Sequence, residues 1–242
     1  MILDLHTHIL PGIDDGAKSV DVSVGMLAEI ARQKSEPVVL TPHFYPYECS
    51  ADDFLKKRAS AYAKLRDTMQ EKTPALVGCE IFLSPYLMKN QNLRRLCISG
   101  TDFALIELPF SERLDDKALR LLEDLRYNHG IKPILAHVER YRFITHSRDM
   151  LDTLIACGCM VQVNAESFLT SPLKRRFVFD LLKRNKIDFL GSDCHNLSTR
   201  PPNLLQAVDF IVKKRGRQAI ERIEMCSEML YNSARANHFS AI

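Results

Sequence analysis

The sequence predicts an α/β fold built on a parallel sheet, and three observations predict it. Short apolar runs rich in Val, Ile and Leu recur along the chain, each followed by a longer stretch with helical spacing. The runs do not alternate strictly with polar residues, as expected of strands buried on both faces. No Gly-rich phosphate loop follows the first run, so of the two architectures open to seven βα units, a doubly wound sheet and a closed barrel, the barrel is favoured.

Strands are expected over 2–5, 37–40, 75–79, 103–108, 132–136, 160–163 and 187–190. The first helix should run over 20–33, with Val20, Val24, Leu27 and Ile30 on one stripe and Ser19 as its cap. Further helices are expected over 52–72, 115–128, 148–157 and 173–185, and two more within 203–232. Pro11-Gly12, Asp15-Gly16 and Pro201-Pro202 punctuate the loops between them. No linker or low-complexity tract divides the 242 residues, which read as a single domain over 1–242.

Composition excludes several classes. A chain that is 46% hydrophobic can bury a core, so wholesale disorder is excluded. The 33 Lys and Arg against 30 Asp and Glu leave a net +3, too even a balance for nucleic acid or an anionic membrane as the main partner. No apolar run approaches the roughly 18–20 residues of a membrane span. The opening Met1-Ile2-Leu3-Asp4-Leu5-His6 does not read as a signal peptide. Seven Cys without a CxxC pair suit reduced thiols and a cytoplasmic location.

Function is carried by the residues at the C-terminal end of each strand. His6, His8 and then Asp14-Asp15 come after the first, His43 after the second, Glu80 at the end of the third and Glu107 near the end of the fourth. His137 comes after the fifth and Asp193-Cys194-His195 after the seventh; the sixth offers only Asn164 and Glu166. Each alone has a bland explanation, a rim or core histidine above all. In a parallel barrel, however, all C-terminal strand ends meet on one face, where active sites are built. His129, His146 and His238 fall outside this pattern.

Asp15, Glu80, Glu107 and Asp193 would bring four negative charges into one cleft with no Lys cluster to offset them. Repulsion and desolvation would force protonation unless cations compensate, so divalent metals are expected. Mixed imidazole and carboxylate donors suit Zn, Mn or Fe and not an all-oxygen Ca or Mg site. His6, His8, Asp15, His43, Glu80, Glu107, His137, Asp193 and His195 are too many ligands for one ion; two or three ions fit. Such a site activates water for attack on phosphorus. Arg140 and Arg200 then become candidates to grip a phosphoryl group.

The blocks LDLHTHILPGIDDG, AHVERY and GSDCHNLSTRPPN resemble the polymerase-and-histidinol-phosphatase (PHP) superfamily, and within it the bacterial manganese-dependent protein-tyrosine phosphatases of the CpsB/YwqE type. The resemblance spans nearly the whole chain and no ligand position departs from it. It implies a distorted (β/α)7, TIM-like PHP barrel with a trinuclear metal site on the nine residues above, manganese as the metal, and Arg140 and Arg200 as the phosphate-binding catalytic pair. It further implies a phosphotyrosine protein as substrate, namely the C-terminal tail of a bacterial tyrosine kinase that controls capsule or exopolysaccharide synthesis.

Rival readings are a small-molecule phosphomonoesterase such as a histidinol-phosphatase, and a non-catalytic metal-binding interaction module. The run His43-Phe44-Tyr45-Pro46-Tyr47 sets aromatic rings beside the site, as a phosphotyrosine ring would need. One motif points elsewhere: Cys194 to Arg200 satisfies Cys-x5-Arg, the signature of thiolate-dependent phosphatases. Its loop has no Gly to form a phosphate nest, and neighbouring carboxylates would raise the thiol pKa, so it is expected to be incidental.

Overall fold

The computed structural model describes residues 1–33, 37–68 and 74–239. Nine short strands form its sheet: β1 (Asp4–Thr7), β2 (Val38–Leu40), β3 (His43–Phe44), β4 (Ala75–Val77), β5 (Glu80–Phe82), β6 (Phe103–Glu107), β7 (Lys132–Leu135), β8 (Met160–Asn164) and β9 (Phe189–Gly191). All pairings are parallel, in the orders β1-β2-β4 and β3-β5-β6-β7-β8-β9. The nine trace seven passes, because β2 and β3 are halves of one path broken at Thr41-Pro42, and β4 and β5 are halves of another broken at Gly78-Cys79. Each expected strand therefore exists, although the second and third continue beyond their expected ends. Proline lacks the N–H that a continuous ladder needs, and the carbonyl of Pro42 still accepts from the Glu80 amide at 3.0 Å.

The curled sheet returns on itself. Thr7 bridges Cys194 in parallel, the His8 amide donates to the Cys194 carbonyl at 2.9 Å, and the Asp193 amide donates to the His6 carbonyl at 2.8 Å. The result is a distorted (β/α)7 barrel. Its helices are α1 (Val20–Arg32), α2 (Ala51–Arg66), α3 (Asp116–Tyr127), α4 (Arg142–Thr145), α5 (Arg148–Ala156), α6 (Glu166–Leu169), α7 (Pro172–Lys183), α8 (Leu204–Arg215) and α9 (Glu221–Phe239). No helix among the described residues is long and apolar enough to cross a membrane. Residues 69–72 of the expected second helix lie outside the described residues. Ser19 caps α1 as expected, but the buried stripe is Ser23, Met26, Leu27 and Ile30, with Val24 exposed. Ser23 turns inward because its hydroxyl donates to the Ile9 carbonyl at 2.6 Å, tying α1 to the loop after β1.

Three apolar clusters organise the interior. One fills the barrel floor with Leu3, Leu5, Leu105, Ile134 and Phe189, joined by Cys226, Leu230 and Ala234 of α9. The other two lie between the sheet and the surrounding helices. Side chains on a strand alternate between faces, so the inward series can be followed upward from that floor. Phe103 and Leu105 give way to Glu107, Met160 to Gln162 and Asn164, and Phe189 and Gly191 to Asp193. The barrel is thus apolar below and polar at its mouth.

Candidate metal centre

The first strand delivers two histidines to the mouth through a register irregularity. Asp4 pairs with Val38 and Thr7 with Leu40, so three steps of β1 oppose two of β2. A bulge of this kind re-aims side chains: Leu5 enters the barrel floor while His6, the next residue, reaches Gln162 and Glu80 in the site. Gly191 accommodates the turn, since a Cβ there would stand 2.5 Å from the Cβ of His6. His137 and Asp193 hold left-handed backbone angles (φ 35° and 53°) rare for residues with a Cβ. Both occur two residues beyond a strand end, where the chain must turn sharply to point the side chain back over the mouth.

The nine expected ligand residues come together. Their donor atoms form four overlapping groups: His8, Asp15, His43 and His195; His6, His8 and Asp193; His6, Glu80 and His137; His43, Glu80 and Glu107. Glu80, which is 1% exposed, lies at the centre. Its Oε2 is 3.0 Å from His6 Nε2 and 3.0 Å from His43 Nδ1, and its Oε1 is 2.8 Å from His137 Nε2. Asp15 sits on the open rim, 3.3 Å from His195 Nε2.

Hydrogen bonds on the far side of three rings, His6, His8 and His195, fix which nitrogen faces inward. His8 Nδ1 donates to Asp14 Oδ2 at 2.7 Å, and His195 Nδ1 donates to the Asp193 carbonyl at 2.9 Å. His6 Nδ1 lies 3.3 Å from Gln162 Oε1, an oxygen identified by the 2.7 Å bond it accepts from the His137 amide. With Nδ1 protonated, each Nε2 presents a lone pair to the site. His195 Nε2 is buried with no hydrogen-bond partner among the described residues. Inward imidazole nitrogens mixed with carboxylate oxygens are the donor set that a borderline transition ion takes.

The electrostatics state the same requirement. Burial would push the Glu80 and Asp193 carboxyls up, but facing His6 and its neighbours hold both well below their ordinary values. Burial would lower His6 and His8, yet the surrounding carboxylates raise both, His8 strongly. Glu107 is pushed up to about 7 by burial and by the Glu80 charge, and His195 is pushed down to about 4 by burial and by His8. Protons are thus drawn onto His6 and His8 to balance the buried acids around them, and cations coordinated at Nε2 would replace those protons.

The two arginines close one side. Arg200 reaches Asp193 Oδ2 at 2.7 Å and Arg140 the same oxygen at 3.6 Å; both guanidinium groups are more than a third exposed. On the other flanks stand aromatic rings. Tyr45 stacks on His43 (5.1 Å, 21°) and Phe110 on His137 (5.9 Å, 16°). Arg140 lies over the Phe110 ring at 5.0 Å.

Gln162 and Glu139 were not singled out by the spacing of residues, and Asp14 and Asn164 were noted at strand ends without a role. Gln162 Nε2 donates to Asn164 Oδ1 at 3.0 Å, and Asn164 Nδ2 donates to Asp193 Oδ2 at 2.7 Å, so a buried amide chain links His6 and His137 to Asp193. The available signal was two inward amides in the otherwise apolar run Met160-Val161-Gln162-Val163-Asn164. Glu139 accepts from the Asn164 amide at 3.0 Å and from the Ser167 hydroxyl at 2.9 Å, and burial pushes it up to about 7. His129 pairs with Asp124 and His146 with the Arg142 carbonyl, both away from the mouth; the side chain of His238 lies outside the described residues. Cys194 packs among Ile9, Leu10 and Met26 with no exposure, and burial raises its pKa strongly, so Cys-x5-Arg is here a coincidence of spacing.

Comparison with known proteins places this geometry. A family model described as capsular polysaccharide synthesis, CpsB/CapC, matches residues 2–230. The chain is 28% identical over 244 residues to the tyrosine-protein phosphatase CpsB of Streptococcus agalactiae, covering 96% of this chain and 99% of that one. It is 29% identical over 241 residues to the tyrosine-protein phosphatase YwqE of Bacillus subtilis, covering 95% and 91%. Among solved structures, the metal-dependent tyrosine phosphatases YwqE from Bacillus subtilis and CpsB from Streptococcus pneumoniae match with TM-score 0.76 and 28% identity, over 97% of this chain and 94% of that one.

Proposed function

The chain belongs to the CpsB/CapC capsular polysaccharide synthesis family, and on that premise we propose that it is a metal-dependent protein-tyrosine phosphatase. One observation carries the reading: nine donor side chains form four overlapping groups, beside two part-exposed arginines at the barrel mouth. Residues 1–242 act as one phosphoesterase unit.

Two or three ions would share the four overlapping donor groups, His8 with Asp15, His43 and His195; His6 with His8 and Asp193; His6 with Glu80 and His137; and His43 with Glu80 and Glu107. Manganese is the metal that the resemblance to the CpsB/YwqE phosphatases implies, and Fe or Zn are alternatives that the same donors would accept. Bound there, the metal supplies Lewis acidity, an activated water and a counter-charge for the phosphoryl group.

The chain's own residues do the rest. Arg140 and Arg200 are the catalytic pair: their forks take the phosphoryl oxygens and aim the ester at the ions. Asp193 and the Phe110 ring hold those forks in place before substrate arrives. The amide chain through Gln162 and Asn164 keeps His6, His137 and Asp193 from rotating away. Tyr45 and Phe110, one on each side of Glu80, form walls for a phenyl ring. That flanking favours phosphotyrosine over a small alkyl ester such as histidinol phosphate. A non-catalytic module would have no use for exposed arginines beside a complete donor set.

The substrate in this reading is a phosphotyrosine protein, with the C-terminal tail of a bacterial tyrosine kinase of capsule or exopolysaccharide synthesis as the partner. The family's description and the names of its relatives support it. A cytoplasmic location belongs to the same reading, and seven free thiols are in keeping with it. The deciding experiment is phosphate release from a phosphotyrosine peptide by protein of known elemental content. Hydrolysis should track bound metal, and a metal-bearing protein that hydrolyses no phosphomonoester would overturn the assignment.

A further inference from the structure

Positive charge is unevenly placed in this chain. Residues 172–215 contain ten Lys and Arg against four Asp, a net +6, while the whole chain carries only +3. This segment holds α7, β9, the Arg200 loop and α8. Arg184 and Lys186 are paired with Asp152, and Arg222 with Asp188, whereas Lys174, Arg176, Lys183 and Arg215 have no carboxylate partner among the described residues.

Those four groups line two neighbouring hollows that follow one another along α7. A hollow of about 200 Å³ beside the metal centre is lined by Arg140, Arg200 and Lys174 together with the acids Glu139, Glu166 and Asp193. Arg175 donates to the Thr170 carbonyl at 3.0 Å and lines the next hollow, of about 620 Å³, with Arg176, Lys183 and Arg215. A third, of about 610 Å³, shares Phe179, Lys183 and Arg215 with the second. Arg215 lies over the Phe179 ring at 5.4 Å, which makes an apolar floor under a charged wall. Asp180 and Glu221 are the acids that line these two outer hollows.

We infer that this track is a docking groove for an acidic stretch of the phosphoprotein substrate. The inference rests on the phosphatase reading and deepens it: the enzyme would read negative side chains near the phosphotyrosine as well as the phosphoryl group. From Lys174 to Lys183 the helix rises about 14 Å, the span of about four extended residues. A segment whose phosphotyrosine sits at Arg140 and Arg200 would therefore lay its acids along α7 within a few positions. A concave groove with an aromatic floor suits a polypeptide better than a flat lipid surface.

The test uses the metal-loaded, full-length enzyme and three substrates. These are a phosphotyrosine peptide followed by Asp and Glu, the same peptide with Asn and Gln in their place, and p-nitrophenyl phosphate. The acidic peptide should show a KM about tenfold lower at low salt, with the difference shrinking as ionic strength rises. Combined Arg176→Glu, Lys183→Glu and Arg215→Glu should erase that advantage while leaving kcat and p-nitrophenyl phosphate turnover unchanged, which also reports correct folding. The milder Arg176→Gln with Lys183→Gln should erase part of it. Equal KM values for the two peptides in the wild type would overturn the groove, as would an advantage that survives charge reversal. Charge reversal that releases the protein from phosphatidylglycerol vesicles without changing peptide KM would overturn it in favour of a membrane surface. Loss of p-nitrophenyl phosphate turnover in the wild type would instead refute the phosphatase reading itself.

Discussion

The Nε2 atoms of His6 and His8 stand 3.0 Å apart, while the Nδ1 of each ring faces an outside acceptor, Gln162 for His6 and Asp14 for His8. Two imidazole lone pairs at that distance repel unless a proton or a cation lies between them. The same pair is 3.4–3.6 Å from Asp193 Oδ1 and 3.0–3.3 Å from Glu80 Oε2. The arrangement is stable only with positive charge at its centre, and this dictates how the protein should respond to change.

Metal removal should abolish phosphotyrosine hydrolysis, and added Mn should restore it. Cys194→Ser should retain activity, because that side chain packs against α1 and takes no part in the site. Assays before and after chelation decide the matter; a chelator-resistant enzyme that is killed by Cys194→Ser would reverse the assignment.

Gln162→Leu leaves the His137 amide and His6 Nδ1 without their shared acceptor. Metal affinity should fall about 10–100-fold, read by titration against a competing chelator. Unchanged affinity would mean that the amide chain does not orient the ligands.

Arg200→Lys replaces a planar fork with a point charge, so it should behave nearly as badly as Arg200→Ala. Each should lower kcat/KM by about 10²–10³-fold with little change in bound metal. Full rescue by lysine would show that charge alone is needed at this position.

Phe110→Ala removes a ring that stacks on His137 and supports Arg140. Preference for aryl over alkyl phosphates should drop about 2–10-fold, the scale of an aromatic pair. Turnover of a phosphotyrosine peptide relative to histidinol phosphate measures it, and an unaltered ratio would rule out the aromatic wall.

Gly191→Ala drives a Cβ to 2.5 Å from that of His6. Stability should fall by about 1–3 kcal/mol, the usual cost of overpacking, with metal affinity reduced as well. Urea unfolding of the metal-free and metal-loaded proteins separates the two effects; wild-type behaviour in both would show that β1 yields easily.

Strand and helix order was legible because each βα unit announces itself locally, through an apolar run followed by helical spacing. The convergence of His6, His43, Glu80, Glu107, His137 and Asp193 was legible too, since parallel strands must end on one face. Local reading failed where a neighbour decides. Val24 satisfied the helical stripe, yet the bond from Ser23 to the Ile9 carbonyl rotates α1 so that Val24 is exposed. Cys194 and Arg200 satisfied a catalytic spacing, yet the thiol points into the cluster beneath α1 while Arg200 turns to Asp193.

Sequence by itself thus determined the element types, the barrel and the inventory of donor groups, all properties of local pattern and strand polarity. Only the tertiary structure decided which nitrogen of His6, His8 and His195 faces the site, which amides hold the rings, and that basic residues of α7 line hollows next to the mouth, joined by Arg215 of α8. Those features depend on hydrogen bonds and packing between residues as far apart as His6 and Gln162, and such distances are set by closing the barrel rather than by any segment of chain.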